Sequence, residues 1–179
     1  MTVLTFRQPS TEFADQIRAY RAESMLDGPS INGASSLQDH EDPADWIAAC
    51  AAAADPATVD PDWVISHQWL CVDEASQIVG MTAIRPDLSL PYAAEYAGHI
   101  GYSIRPSQRG KGYGTQQLRL ALEACRGYGL ALALLTCDQA NEASRRTIMA
   151  CGGVFERAME KRDEDEGTVI AMERYWITL

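Results

Sequence analysis

Ile104-Arg105-Pro106-Ser107-Gln108-Arg109-Gly110-Lys111-Gly112-Tyr113-Gly114-Thr115 is the stretch on which the reading of this chain turns. A β-rich run from Gly98 to Ile104 feeds a loop with three glycines, and the loop passes into a helix expected from about Tyr113 to Arg126. In that helix Leu118, Ala121, Leu122 and Cys125 fall at i, i+3, i+4 and i+7, a single apolar stripe. The first N–H groups of a helix lack intrahelical acceptors, and the macrodipole adds partial positive charge there. Glycine lets the main chain approach an anion with no Cβ in the way. Strand, glycine loop and helix start together predict a cradle for a phosphate or pyrophosphate.

Charge placement points the same way. No Asp or Glu lies between Tyr96 and Leu122, whereas Arg105, Arg109, Lys111 and Arg119 are basic, in a chain whose net charge is −10. A plain strand-to-helix turn with solvated basic residues would use the same glycines, so spacing has to discriminate. A P-loop requires Ser or Thr after its Lys, but Gly112 follows Lys111. A dinucleotide fingerprint requires GxGxxG, but Thr115 stands at the third glycine position after Gly110 and Gly112. The pattern that fits is RxxGxG, formed by Arg109, Gly112 and Gly114.

Outward from this loop, the chain reads as alternating β-rich and helical segments. Thr2 to Phe6 opens as a strand, and a helix capped by Ser10 or Thr11 runs to about Met25. Asp27 to Gly33 breaks it, and a second helix starts at Pro43 and runs to Ala54. Gln68 to Asp73 and Ile78 to Ile84 form a hairpin. After the glycine-loop helix, Leu130 to Cys137 is a continuous apolar strand. A short helix spans Asn141 to Ala150, and Val154 to Met159 and Thr168 to Ile177 close the chain around a charged tip, Lys161 to Glu166. The order βααβββαβαββ predicts an α/β protein with a mixed sheet, and 179 residues suit one domain over 1–179.

The acidic balance disfavours nucleic acid and anionic lipid as partners and tolerates a cationic one. Five cysteines, an odd number without CxxC spacing, argue against a disulfide framework and against a metal site. The longest apolar run is far short of the roughly 20 residues of a membrane span, and no secretory signal opens the chain. A cytoplasmic location is expected.

The RxxGxG loop is followed by Asn141-Glu142-Ala143-Ser144 and Gly152-Gly153-Val154-Phe155. Together with Gly98 to Pro106 and the closing Arg174-Tyr175-Trp176-Ile177, these stretches resemble the GNAT superfamily of acyl-CoA-dependent N-acetyltransferases, in particular its branch of predicted acetyltransferases. The resemblance implies a central, mostly antiparallel sheet flanked by helices, with its fourth and fifth strands splayed apart. It implies acetyl-CoA as cosubstrate and a small-molecule or peptide amine as acceptor. The pyrophosphate would rest on the stretch Arg109, Gly110, Lys111, Gly112, Tyr113, Gly114 and Thr115. The pantetheine arm would pair with main chain near Tyr102, Ser103 and Ile104, and Asn141 and Ser144 would line its path. Many relatives dimerise, which leaves a homodimer open.

Direct attack by an amine requires its neutral form, so a base helps. His99 and Glu95, near the fourth strand, are the candidates, with a hydrogen-bonded structural histidine as the alternative for His99. Many relatives carry a tyrosine seven residues after the asparagine as general acid, and here Ile148 stands there. Tyr175, Tyr102 and Ser103 are the hydroxyls that could replace it. Loss of turnover, leaving an acyl-CoA-binding sensor, is the competing outcome.

Overall fold

The computed structural model describes residues 2–162 and 168–179. Of the charged tip expected at 161–166, residues 163–166 lie outside the described residues. The strands are β1 (Thr5–Arg7), β2 (His67–Val72), β3 (Ile78–Ile84), β4 (Ile100–Ile104), β5 (Leu132–Asp138), β6 (Val154–Arg162) and β7 (Val169–Thr178). The α-helices are α1 (Ala14–Ser24), α2 (Pro43–Ala53), α3 (Tyr113–Gly127) and α4 (Glu142–Ala150). This is the order expected from the sequence, with boundaries moved by up to three residues, as at the start of β1 and the end of β6. The first helix differs more: Thr11–Phe13 form a 3-10 turn, and neither Ser10 nor Thr11 caps α1.

The strands form two antiparallel sheets, ordered β1-β2-β3-β4 and β5-β7-β6. Their apolar faces explain the layering. On one face α1 and α2 bury Ile17, Tyr20 and Trp46 against Leu70 and Met81. On the other, α3 and α4 bury Leu118, Leu122, Cys125 and Ile148 against Ile84, Leu135 and Tyr175. Each of these aliphatic side chains contributes roughly 1.5–3 kcal/mol on removal from water. The stripe legible in the sequence of α3 is the surface that does this.

The two sheets meet at one point and then part. The His99 N–H donates to the Leu134 carbonyl (2.8 Å), and the Leu134 N–H donates to His99 Nδ1 (2.9 Å). A Cβ on Gly98 would sit 2.6 Å from the Leu134 oxygen, so this approach needs glycine. Beyond it β4 pairs only with β3, and β5 only with β7. The connection between β3 and β4 contains an unexpected π-helical turn, Ala93–Ala97, whose carbonyls are held by two arginines. Arg174 Nη1 donates to Ala94 and Glu95 (2.7 and 2.8 Å), and Arg85 donates to Ala97 and Gly98 (3.1 and 2.8 Å). No helix among the described residues is long and apolar enough to cross a membrane.

Candidate active site

A cavity of about 520 Å³ opens between the C-terminal half of β4, the glycine loop and the starts of α3 and α4. From β4 it is lined by Tyr102, Ser103 and Ile104, from the loop by Arg109, Gly110 and Gly112, and from the first turn of α3 by Tyr113, Gly114 and Thr115. Asn141 and Ser144 line it from α4. Of the residues expected around a cosubstrate, only Lys111 stands apart, with its Nζ donating to Gln108 Oε1 (2.8 Å).

The amides at the start of α3 supply the local chemistry. Gly112 is the N-cap in a left-handed conformation (φ 78°), and no side chain caps the helix. The first bond into the helix is a long one, from the Gln116 N–H to the Gly112 carbonyl (3.5 Å). The N–H groups of Tyr113, Gly114 and Thr115 therefore precede any intrahelical acceptor, at the positive end of the macrodipole. The Arg109 amide is already engaged by the Pro106 carbonyl (3.2 Å), so this residue faces the cavity through its side chain instead. A Cβ at Gly110 or Gly112 would meet nothing within 4 Å, so the space over both is open.

The basic island of the sequence is not isolated in space. The Glu23 carboxylate accepts from Arg105 Nε (2.5 Å) and from the Ser107 N–H (2.6 Å). Burial alone would push the Glu23 carboxyl up, but the Ser107 amide and Arg105 outweigh it and hold it below its ordinary range. Asp27 pairs with the Arg109 guanidinium, which also donates to the Ile104 carbonyl (3.2 Å). The end of α1 is thus tied to the glycine loop.

Of the catalytic candidates, Glu95, Tyr175 and His99 lie outside the cavity lining, whereas Tyr102 and Ser103 are part of it. Glu95 is paired with Arg157 (2.7 Å to each carboxylate oxygen). Tyr175 is buried and donates its hydroxyl to Glu173, whose carboxylate also meets Arg145 (2.7 Å). His99 is buried at the vertex with Nδ1 accepting from Leu134. That bond uses the lone pair a base would need and leaves the proton of the neutral ring on Nε2.

Burial, followed by the nearby Arg85 charge, lowers the His99 pKa. Between its lowered folded value and about 6.5, the unfolded chain binds the extra proton, so stability is present above pH 6.5 and lost on acidification through that window. His99→Gln should flatten this dependence of the melting temperature between pH 7.5 and 5.5. An unchanged slope would show that other groups set it.

The sequence did not single out the far wall, made of Ser24, Asp27, Gly28, Ser30, Ile31 and Asn32. Asp27 to Gly33 reads there only as a helix breaker. Its closeness to β4 is a tertiary fact, for which the only local trace is Gly33.

Two antiparallel sheets that part beside an uncapped, glycine-bounded helix start define an acyltransferase of the splayed-strand type. The chain belongs to the GNAT acetyltransferase family: the family described as "Acetyltransferase (GNAT) domain" matches residues 4–154. No curated protein matches the chain in sequence. Solved structures share the fold. One is the microcin C7 self-immunity acetyltransferase MccE in complex with acetyl-CoA and AMP (14% identity, 99% of this chain, 93% of that one, TM-score 0.71). Another is the Salmonella typhimurium acetyltransferase that modifies the N-terminal serine of ribosomal protein L7/L12 (14%, 100% and 96%, 0.71). A third is a spermidine N-acetyltransferase SpeG chimera from Vibrio cholerae and hSSAT (15%, 98% and 94%, 0.66).

Proposed function

We infer that this protein transfers acetyl from acetyl-CoA to a primary amine by direct attack in a ternary complex. The observation that carries this reading is the uncapped start of α3, open to a cavity that runs along β4 from Ile104 to Tyr102. Amides of the first turn, Gly110, Gly112 and the Arg109 side chain fit a pyrophosphate. MccE, which has this fold, was solved with acetyl-CoA.

The register of β4 supplies the next part. The Arg105 N–H donates to the Val79 carbonyl and the Arg85 N–H to the His99 carbonyl, so odd-numbered residues of β4 face β3. By alternation the main-chain groups of Tyr102 and Ile104 face the gap. The Tyr102 N–H would polarise the thioester carbonyl and stabilise the oxyanion formed on attack. Neither His99 nor Glu95 lines the cavity, and the Asp27 carboxylate that does is paired with Arg109, so we assign loss of the ammonium proton to water. The neighbours named for a ribosomal protein and for spermidine act on amines of different size, and the amine is what this reading specifies. Five free cysteines, four of them buried, suit a reducing compartment, and we assign the protein to the cytoplasm.

A sensor that binds acyl-CoA without turnover is the second reading, favoured by one observation: Ile148 is fully buried in the core, where relatives place a catalytic tyrosine. Thermal shift with acetyl-CoA, CoA, ATP and NAD tests binding, and stabilisation by the CoA species alone is expected. Release of free thiol from acetyl-CoA over an amine panel then separates enzyme from sensor. Stabilisation by ATP or NAD instead would overturn both readings.

A further inference from the structure

The side chain of Tyr102 crosses from β4 to α4, where its hydroxyl lies 3.1 Å from Ser144 Oγ. Thr147, one turn along α4, lines the same cavity. Ser144 is itself fixed, because its N–H donates to the capping Asn141 Oδ1 (3.0 Å). The phenol therefore bridges β4 and α4 along the cavity wall, held by a hydroxyl that donates as readily as it accepts.

The two other hydroxyls weighed from the sequence, Ser103 and Tyr175, are committed elsewhere. Ser103 Oγ shares its hydrogen bond with Tyr20 (3.0 Å) on the α1 face of the sheet. Tyr175 donates to Glu173 behind the cavity. Tyr113 packs against the cluster of Leu4, Cys71 and Val79. Ile148 carries no proton and points into the core.

We propose that Tyr102 is the general acid of the reaction, donating a proton to the departing CoA sulfur from the β4 side of the cleft. This assignment rests on the acetyl-CoA reading and adds a role for one side chain. In the collapsing tetrahedral adduct the C–S bond breaks and its electron pair goes to sulfur, which takes the Tyr102 Oη proton. The phenolate regains a proton released by the attacking nitrogen, passed through water and the Ser144 hydroxyl. The net change is amine plus thioester to amide plus thiol. Burial pushes the Tyr102 phenol up, against the hydroxyl bonds that lower it, and so keeps it protonated at neutral pH.

The test is Tyr102→Phe, which keeps the ring and removes only the hydroxyl. Hydroxylamine, small and neutral at pH 7, serves as nucleophile, and thiol release from acetyl-CoA is the readout. The expected result is a fall in kcat of about 100-fold. KM for acetyl-CoA should stay within about threefold, as for a group that acts in the transition state alone. A binding measurement adds independence from turnover: the parent should prefer CoA over desulfo-CoA by about tenfold through the hydrogen bond to sulfur, and the variant should lose that preference. Unchanged kcat overturns the proposal. So does an equal fall in kcat and in affinity for both CoA and desulfo-CoA, which marks a structural tyrosine. A parent that binds acetyl-CoA but releases no thiol overturns it as well, in favour of the sensor. A parent that binds no CoA species removes the acetyl-CoA reading itself.

Discussion

Replacing Gly112 with aspartate is expected to raise the dissociation constant for CoA at least about 100-fold, which is roughly 2.7 kcal/mol. The melting temperature should change little, because space over Gly112 is open and Asp is among the side chains that tolerate a left-handed backbone. At the N-cap of α3 the new carboxylate lies beside the N–H groups of Tyr113, Gly114 and Thr115, the donors assigned to the pyrophosphate. It would occupy those donors and repel the incoming anion with a full charge. Gly112→Asn separates the two effects, since it adds similar bulk without charge and should cost only about tenfold in affinity. Calorimetric titration with CoA reads both variants. Parent-like affinity in the aspartate variant would mean that the anion binds elsewhere.

The opposite charge change is available nearby. Asp27 holds the Arg109 guanidinium at the cavity wall, half exposed, and a pyrophosphate would compete with it for that arginine. Asp27→Asn should tighten CoA binding about two- to fivefold at low salt, with the gain shrinking as ionic strength rises. Weakened binding would show that the pair holds Arg109 in its working position.

Asp27 and Glu23 also mark where the sequence ceased to be legible. Strand, loop and helix were readable around Gly112 because each rests on contacts within a few residues: an apolar stripe, a glycine that permits positive φ, a helix end without acceptors. Almost all residues expected around the cosubstrate come from that local unit or from the start of α4, and they line one cavity. Charge was less tractable. The absence of acids from Tyr96 to Leu122 is a statement about neighbours in sequence, whereas Glu23 and Asp27 reach Arg105 and Arg109 across the fold. The catalytic candidates depended on which way side chains point. His99 sits on the expected strand segment, yet its ring turns to the Leu134 amide at the vertex. No periodicity encodes that rotation. Glu95 stood in a stretch without a pattern, and the π-helical turn that carries it takes its shape from Arg85 and Arg174, the latter distant in sequence.

The largest stability effect is expected at Gly33, in the connection between α1 and α2. A Cβ there would lie 2.4 Å from the carbonyl carbon and oxygen of Gly101 and from the Cα of Tyr102, all main-chain atoms of β4. Its φ of 68° adds the strain of a left-handed alanine, about 1–2 kcal/mol. The connection has little freedom to lift away. Gln68 donates to the Gly33 carbonyl (3.0 Å), and Trp46 Nε1, fully buried, donates to the Ala34 carbonyl (2.8 Å). Overpacking of this kind costs about 1–3 kcal/mol, so Gly33→Ala should lose about 3 kcal/mol in all. For a chain of this size that lowers the melting temperature by about 6–12 °C.

The displacement has a direction as well as a size. It presses on Tyr102 from the far wall, where Ile31 and Asn32 line the cavity, and leaves the start of α3 untouched. CoA affinity should therefore hold within about threefold while turnover falls about tenfold or more, because small misplacements of reacting groups are costly. Gly101→Ala is the control on the other side of the same contact. There the nearest atoms are 3.3–3.4 Å from the new Cβ, so the neighbours need give only a few tenths of an ångström and the loss should be about 1 kcal/mol or less. If the two alanines proved equally harmful, the approach of Gly33 to β4 would not be what limits this face. A large loss at Gly33 alone, with CoA still bound, would show that the connection after α1 sets the position of β4 separately from the pyrophosphate cradle.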